Sequence, residues 1–129
     1  MKLSIVIPVR NEEIVIKKII DHLEYELKNL PYEIIFINDF STDNSPRLIE
    51  EIIKTKEQIN LYENKKRGLG GAIAEGINKA KGEAICIMMC DLSDDINDLK
   101  KYYNIIKNEQ VDAVFGSRFI NGSKINYYP

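Results

Sequence analysis

Apolar positions along the chain follow two alternating patterns: short, nearly continuous apolar runs, and longer stretches in which apolar residues recur every three or four positions. The first run, from Leu3 to Val9, contains β-branched residues and is typical of a buried strand. The following stretch predicts an amphipathic helix on five apolar positions: Ile16, Ile19, Ile20, Leu23 and Leu27. The chain therefore begins with a strand followed by a helix.

The same alternation continues to the end of the sequence. Further strands are predicted over 33–37, 59–62, 84–89 and 111–115. A second helix is predicted to begin at Pro46 with Ser45 as its N-cap, because proline suits the first helical turn and serine is a common cap. A third spans Leu69 to Ala80, and the apolar positions of a fourth are Ile96, Leu99, Tyr103 and Ile106.

Nearly continuous apolar strands that alternate with helices predict a parallel sheet covered on both faces. We therefore expect an α/β fold, a Rossmann-like three-layer α/β/α domain with a mainly parallel sheet. Ligands of such sheets bind beyond the carboxyl ends of the strands. Four loops at those ends carry acids, hydroxyls and arginines, over 10–13, 38–43, 91–95 and 116–118.

The composition fits one globular domain, 1–129, because 129 residues with 44% hydrophobic content can bury a single core. The 18 basic and 20 acidic side chains nearly cancel and form no basic stripe, so we expect no nucleic-acid partner. The opening lacks a signal-peptide cleavage site, and no apolar run approaches the ~20 residues of a membrane span, so a cytoplasmic location is expected. The sequence stops soon after the fifth predicted strand, and we expect it to be truncated at its C-terminus.

Two cysteines, Cys86 and Cys90, lie four positions apart in one predicted strand. That spacing separates them by roughly 13 Å, which is too far for a disulfide, so both are expected to be reduced. The single histidine, His22, lies in a predicted helix far from them, which excludes a zinc site of the usual Cys/His type.

Five segments occur in an order that resembles the signatures of family-two glycosyltransferases, and they are 7–13, 38–43, 67–72, 91–95 and 116–119. The resemblance is strongest to the dolichyl-phosphate mannosyltransferase and polyprenyl-phosphate glycosyltransferase branch. It implies a GT-A fold and an inverting transfer of a sugar from a nucleotide-diphosphate sugar to a polyprenyl phosphate or another glycan acceptor. It also implies contact with the cytoplasmic face of a membrane, through a region that would follow this chain.

The resemblance implies a set of substrate-binding residues: Pro8, Arg10, Glu12, Asp39, Arg67, Gly68, Asp91 and Arg118. Pro8 and Glu12 are expected to line the pocket for the base and ribose, and Asp39 to read the base. Arg118 is expected to approach a phosphate, for which a guanidinium is suited. The catalytic residues are then expected to be Asp91 and Arg118.

Asp91 matches the last acid of the Asp-x-Asp motif, and the resemblance places a divalent cation on Asp91, Ser93 and Asp94. Ligands that are all oxygen favour Mg²⁺ or Mn²⁺ over zinc. Met89 occupies the place of the first acid, so the cation is expected to be held more weakly or by a rearranged set. In the 38–43 segment, Asn38 replaces an acid and Phe40 replaces a glycine.

Structural explanations compete with several of these assignments. Asn11 and Glu12 suit the N-terminus of a helix, Ser41 to Asp43 suit a turn, and Asp95 suits a helix cap. The glycines after Arg67 suit loop geometry and do not fit a dinucleotide fingerprint, which would follow the first strand. At the level of function, two alternatives remain: a non-catalytic module that binds nucleotide sugars, and a sugar nucleotidyltransferase.

Overall fold

The computed structural model describes residues 1–91 and 95–114. Four strands alternate with four helices: β1 (Leu3–Val9), α1 (Ile16–Glu26), β2 (Tyr32–Asn38), α2 (Ser45–Ile53), β3 (Ile59–Glu63), α3 (Leu69–Lys79), β4 (Ala84–Ile87) and α4 (Ile96–Asn108). The strands are all parallel and lie in the order β3-β2-β1-β4. The predicted α/β fold with a parallel sheet is confirmed.

Helices cover both faces of the sheet. Side chains of α1, α2 and α4 pack with one face of the strands in the larger core, which includes Ile5, Ile20 and Phe36. On the other face α3 packs on β1 and β2, where Ala72 joins Val6 and Ile35 in a second cluster. Gly76 of α3 lies so close to Val6 that an added Cβ would collide with it, so glycine is required at this contact. The layers are therefore α/β/α.

The prediction of a strand over 111–115 is wrong for the residues of this range that the structure describes. Residues 111–114 form no strand, and Val111 is 41% exposed. An exposed run gains little from joining a sheet, because apolar burial is what stabilises a strand of this kind. Phe115 lies outside the described residues.

The expectation that both sheet faces are covered is wrong at β4. Ile85 and Ile87 lie on the same side of the sheet as Val6, by the register of β4 with β1, yet they are 44% and 40% exposed. The reason is that α3 packs on β1 and β2 and does not extend over β4. Among the described residues β4 is therefore an edge strand with one open face.

Ser45 does not cap α2. The helix begins at Ser45 itself, and its N-cap position is Asn44. The Ser45 hydroxyl accepts a hydrogen bond from the backbone N–H of Glu12 at 2.9 Å. It therefore bonds to the loop after β1 instead of to its own helix. Pro46 lies in the first turn of α2 as predicted.

In the ranges 1–91 and 95–114, no helix combines the length and the apolar character that a bilayer span requires.

Candidate functional site

The carboxyl ends of the four strands meet at one edge of the sheet, because the strands are parallel. Pro8 lies buried near the end of β1, and Val6 is the last residue of β1 that pairs with β4. The carbonyl of Val6 accepts from the N–H of Met88 at 2.9 Å, and the next bond of this ladder would need an N–H at position 8. Proline has none, so β4 and β1 stop pairing there and the chain after Met88 diverges.

Asp39 follows β2 and connects it to the loop after β3. Its Oδ1 accepts from the Asn64 side-chain amide at 2.8 Å and from the Gly68 N–H at 3.0 Å. The carboxylate is only 6% exposed. Asp39 therefore holds the 64–68 loop in place, in addition to the base-reading role expected from the sequence.

Arg10 and Arg67 place positive charge beside Asp39. Burial alone raises the pKa of Asp39, but the hydrogen bonds from Gly68 and Asn64 and the charges of the two arginines bring that pKa below its ordinary value. Both arginines are exposed. The structure thus brings together four of the expected substrate-binding residues, Arg10, Asp39, Arg67 and Gly68, with an ionised acid near two accessible guanidinium groups.

Asn11 joins the loop after β1 to the loop after β2. Its backbone has a φ of 54°, in the left-handed region that asparagine tolerates well. Its side-chain oxygen accepts from the N–H of Thr42 at 2.7 Å and of Asp43 at 3.2 Å, and its own N–H donates to the Ser41 hydroxyl at 3.1 Å. The helix-capping explanation is wrong for Asn11, since the N-cap of α1 is Val15 and no side chain caps that helix.

Asp43 connects the same two loops. One of its carboxylate oxygens accepts from the N–H of Glu13 at 3.2 Å and the other from the N–H of Ser45 at 2.9 Å. In return, the Glu13 carboxylate accepts from the N–H of Asn44 at 3.1 Å. These reciprocal bonds make the first two loops of the edge a single hydrogen-bonded unit, which orders the backbone around the candidate donor site.

Glu12 and Asp91 add negative charge to this edge. Burial raises the pKa of Glu12, and the nearby negative charges of Asp91 and Asp43 raise it further. Burial likewise raises the pKa of the Cys90 thiol to about 12, with added contributions from Glu12 and Asp91. The structure therefore brings Glu12 near Asp91, where negative charge is concentrated, opposite in sign to the Arg10 and Arg67 region.

The chemistry of these side chains suits a hard divalent cation, since carboxylates are its preferred ligands. However, within residues 1–91 and 95–114 no group of three or more His, Cys, Asp or Glu side chains is arranged to hold a metal ion. Asp91 is exposed at the end of the β4 segment. Ser93, Asp94 and Arg118 lie outside the described residues.

Gly68 and Gly71 shape the start of α3. Gly68 has a φ of 113°, which only glycine adopts readily, and an added Cβ at Gly71 would collide with the carbonyl oxygen of Lys66. The N–H of Gly68 donates to Asp39, so this backbone donor is used within the protein and not by an anion. The loop-geometry explanation of these glycines is confirmed, and a contact with an anion stays a prediction.

The hydrogen-bonding roles of two residues at the site were not predicted from the sequence. Asn64 is 5% exposed and donates to both Asp39 and the carbonyl of Gly68. It is the first polar residue after β3, so the rule that selected Asp39 after β2 would have found it. Asn38 donates to Glu63 at 2.8 Å and accepts from the Ser41 N–H, and an aspartate at position 38 would instead repel Glu63.

Comparison with known proteins gives a consistent result. The chain is 29% identical to the dolichol-phosphate mannosyltransferase of Pyrococcus furiosus over 129 residues, which cover 100% of this chain and 36% of that protein. The chain thus spans about a third of the length of this relative.

Two solved structures share the architecture. The crystal structure of TarS 1-349 from S. aureus matches with a TM-score of 0.68 at 20% identity, over 92% of this chain and 40% of that one, and shows the likeness of fold. The mannosyltransferase PcManGT from Pyrobaculum calidifontis, solved in complex with GDP-Man and Mn²⁺, matches with a TM-score of 0.62 at 25% identity, over 69% of this chain and 27% of that one. Residues 4–129 match the family described as glycosyl transferase family 2, and with this fold and this edge the chain belongs to that family.

Proposed function

We propose that this chain is the donor-binding part of an inverting glycosyltransferase that moves a sugar from a nucleotide-diphosphate sugar to a polyprenyl phosphate. The observation that carries the proposal is the convergence of Arg10, Asp39, Arg67 and Gly68 at the carboxyl edge of the sheet, in a chain of glycosyl transferase family 2. The acceptor class follows the name of the Pyrococcus furiosus relative, and the donor class follows the GDP-Man bound by PcManGT.

The basic and acidic side chains of the edge suit different parts of the donor. The exposed guanidinium groups of Arg10 and Arg67 form paired hydrogen bonds with phosphate oxygens, and so bind the diphosphate. Asp39 and Glu12 accept hydrogen bonds from ribose hydroxyls or base N–H groups. Pro8 lines the floor of this pocket, where β1 ends. Gly68 sets the path of the loop that carries Arg67.

The proposed reaction is one displacement. A phosphate oxygen of the acceptor attacks the anomeric carbon, the bond from that carbon to the donor's diphosphate breaks, and the nucleoside diphosphate leaves with the electron pair. The configuration at carbon inverts. The acceptor phosphate is already ionised, so no side chain has to remove a proton, and the guanidinium groups stabilise the charge that develops on the leaving diphosphate.

Asp91, with Ser93 and Asp94, is the proposed ligand set for Mg²⁺ or Mn²⁺. When bound, the cation would supply charge neutralisation for the leaving diphosphate. Arg118 is proposed to contact a donor or acceptor phosphate. A polyprenyl acceptor is anchored in a lipid bilayer, so the proposed reaction takes place at a membrane surface, on its cytoplasmic face.

A non-catalytic module that binds nucleotide sugars is the second candidate. Met89 stands where the first acid of the metal motif is expected. This substitution favours binding without transfer. A sugar nucleotidyltransferase has no support of this kind, because the loop after β1 is Arg10-Asn11-Glu12-Glu13 and contains no glycine.

The test is a transfer assay with GDP-mannose and UDP-glucose labelled in the sugar, a short polyprenyl phosphate and Mn²⁺. The proposal predicts labelled lipid and an equal amount of released nucleoside diphosphate, both reduced at least tenfold by Arg67→Ala. Binding of the nucleotide sugar without labelled lipid would establish the binding module instead. Release of pyrophosphate from a nucleoside triphosphate and a sugar phosphate would establish a nucleotidyltransferase.

A further inference from the structure

Phe40 is an unusual residue in this fold. Its backbone has a φ of 57°, a left-handed conformation that is unfavourable for a bulky side chain. Its side chain is also 44% exposed, although an aromatic ring is more stable away from water. Glycine adopts this φ readily and has no ring to expose to water. The protein thus presents an aromatic ring in water at a position where local structure favours glycine.

The residues on both sides hold Phe40 in this conformation. Asp39 is bonded to Asn64 and Gly68, and the N–H of Ser41 donates to the side chain of Asn38 at 3.1 Å. The ring therefore lies in a loop whose backbone is well ordered. Its location is fixed beside the buried carboxylate of Asp39.

The guanidinium of Arg67 lies over the ring of Phe40, 5.5 Å from the centroid. Arg67 comes from the loop after β3 and Phe40 from the loop after β2, so the pair bridges two of the loops at the carboxyl edge. Aromatic rings and guanidinium planes are the side-chain groups on which nucleic-acid bases stack. The pair combines both groups on one accessible surface.

We infer that the Phe40 ring, held by Arg67, is the surface on which the base of the donor nucleotide stacks. The inference rests on the proposed function and adds a residue that determines how tightly the nucleotide binds. Asp39 precedes Phe40 in the chain, and its carboxylate is the acceptor proposed above for the base or ribose. Stacking of the base in the bound state then offsets the unfavourable exposure and backbone conformation of Phe40 in the free protein.

The first test uses Phe40→Gly, which removes the ring and suits the backbone. Stacking on an aromatic residue contributes about 1–3 kcal/mol per base, so Kd for GDP or UDP should rise about five- to 150-fold in calorimetry. The Kd for inorganic diphosphate, which has no base, should rise by a smaller factor than the Kd for GDP or UDP, because only the packing of Arg67 on the ring is lost. The Tm of Phe40→Gly should equal or exceed that of the unmutated chain.

The second test gives a signal that only a contact with the base produces. The chain contains no tryptophan, so Phe40→Trp places a single fluorophore at the proposed stacking surface. Emission should be quenched by GDP and unchanged by diphosphate. Tyr25→Trp is the matched control, because Tyr25 is 67% exposed near the end of α1, at the opposite edge of the sheet, and its emission should not respond to either ligand.

The outcomes separate the inference from the proposed function. Absence of nucleoside diphosphate binding in the unmutated chain would overturn both. Binding that is as tight in Phe40→Gly as in the unmutated chain, or equal quenching of the Phe40→Trp emission by GDP and diphosphate, would overturn the stacking surface and leave the donor site in place.

Discussion

The backbone N–H of Gly68 donates to Oδ1 of Asp39 at 3.0 Å, and this bond ties the start of α3 to the end of β2. Asn64 donates to the same oxygen at 2.8 Å. One carboxylate thus orders the loop that carries Arg67, and it does so in the region proposed to bind the donor base. The structural role of Asp39 and its proposed binding role fall on one carboxylate, so variants of Asp39 must be measured for both stability and affinity.

Asp39→Ala should lower both stability and affinity. The variant leaves the Gly68 N–H and the Asn64 amide without their buried acceptor, which costs about 1–3 kcal/mol in the free energy of unfolding. Denaturant titration measures this change, and calorimetry measures the weaker binding of nucleoside diphosphate. Asp112→Ala, at an exposed position after α4, is the control and should change neither. Unaltered nucleotide affinity in Asp39→Ala would remove Asp39 from the site.

Two variants of Asn11 separate its side-chain bonds from its backbone conformation. Asn11→Gly keeps the φ of 54° but loses the bonds to Thr42 and Asp43, and should cost about 1–3 kcal/mol in unfolding free energy. Asn11→Ala should lower the free energy of unfolding by about 1–2 kcal/mol more, since the left-handed conformation is unfavourable for alanine. Urea unfolding of the two variants provides the comparison. Equal stabilities would show that the loop relaxes to another conformation.

Glu33 predicts a pH dependence of stability. Its buried carboxylate accepts from the Ser4 hydroxyl at 2.6 Å and from the Lys81 N–H at 2.7 Å. Burial alone raises its pKa, but these bonds and the charges of Lys2 and Lys81 bring the pKa below the ordinary 4.5. The stabilisation is therefore complete above pH 4.5 and is lost as the pH falls through the lower folded-state pKa.

Glu33→Gln tests this directly. The variant should be less stable by about 1.5–3 kcal/mol at pH 7, because hydrogen bonds to a charged group are lost. Below pH 4.5 the difference in stability between the variant and the unmutated chain should narrow. The Glu33 carboxyl then becomes protonated and, like the amide of glutamine, carries no charge. Denaturant unfolding measured between pH 3 and pH 7 gives the profile. A difference that stays constant over this range would contradict the assignment of a lowered pKa.

Metal and nucleotide should bind cooperatively. Asp91 alone is a poor site for Mn²⁺, and magnesium-type sites commonly include substrate phosphates among their ligands. Each ligand should therefore strengthen the other by the same factor. Asp91→Asn should largely remove this coupling and leave binding of nucleotide without metal nearly intact, whereas Met89→Asp should tighten Mn²⁺ binding. Calorimetric titrations in which Mn²⁺ leaves nucleotide affinity unchanged would contradict a metal-assisted mechanism.

The elements of the fold were largely predictable because their signals are local. The helical spacing from Ile16 onward predicted α1, and the β-branched run from Leu3 predicted β1. The signal is misleading at 111–114, where an apolar run predicts a buried strand and the structure has none. Periodicity reports which side chains prefer burial, but burial itself depends on tertiary neighbours, and Val111 has few of them in the described structure.

The meeting of the loops that carry the candidate site was predictable, and the hydrogen bonds between those loops were less so. Parallel strands place their carboxyl ends together, so the loops with Arg10, Asp39 and Arg67 were expected to meet. Which polar groups bond one another depends on loop geometry, which has no periodic signal. Asn11 was expected at a helix cap and instead joins two loops, and Glu33 was placed in a strand without any sign that it would be buried beside Ser4.

Binding of nucleoside diphosphate at the carboxyl edge of the sheet can be observed by NMR of the ¹⁵N-labelled chain titrated with GDP and with UDP. One of the two nucleotides should shift the amide signals of Arg10, Glu12, Asp39 and Gly68 in a saturable way. Signals at the amino edge, such as those of Ser4 and Gly82, should stay in place. Shifts confined to the amino edge, or no shifts with either nucleotide in a folded sample, would contradict binding at the carboxyl edge.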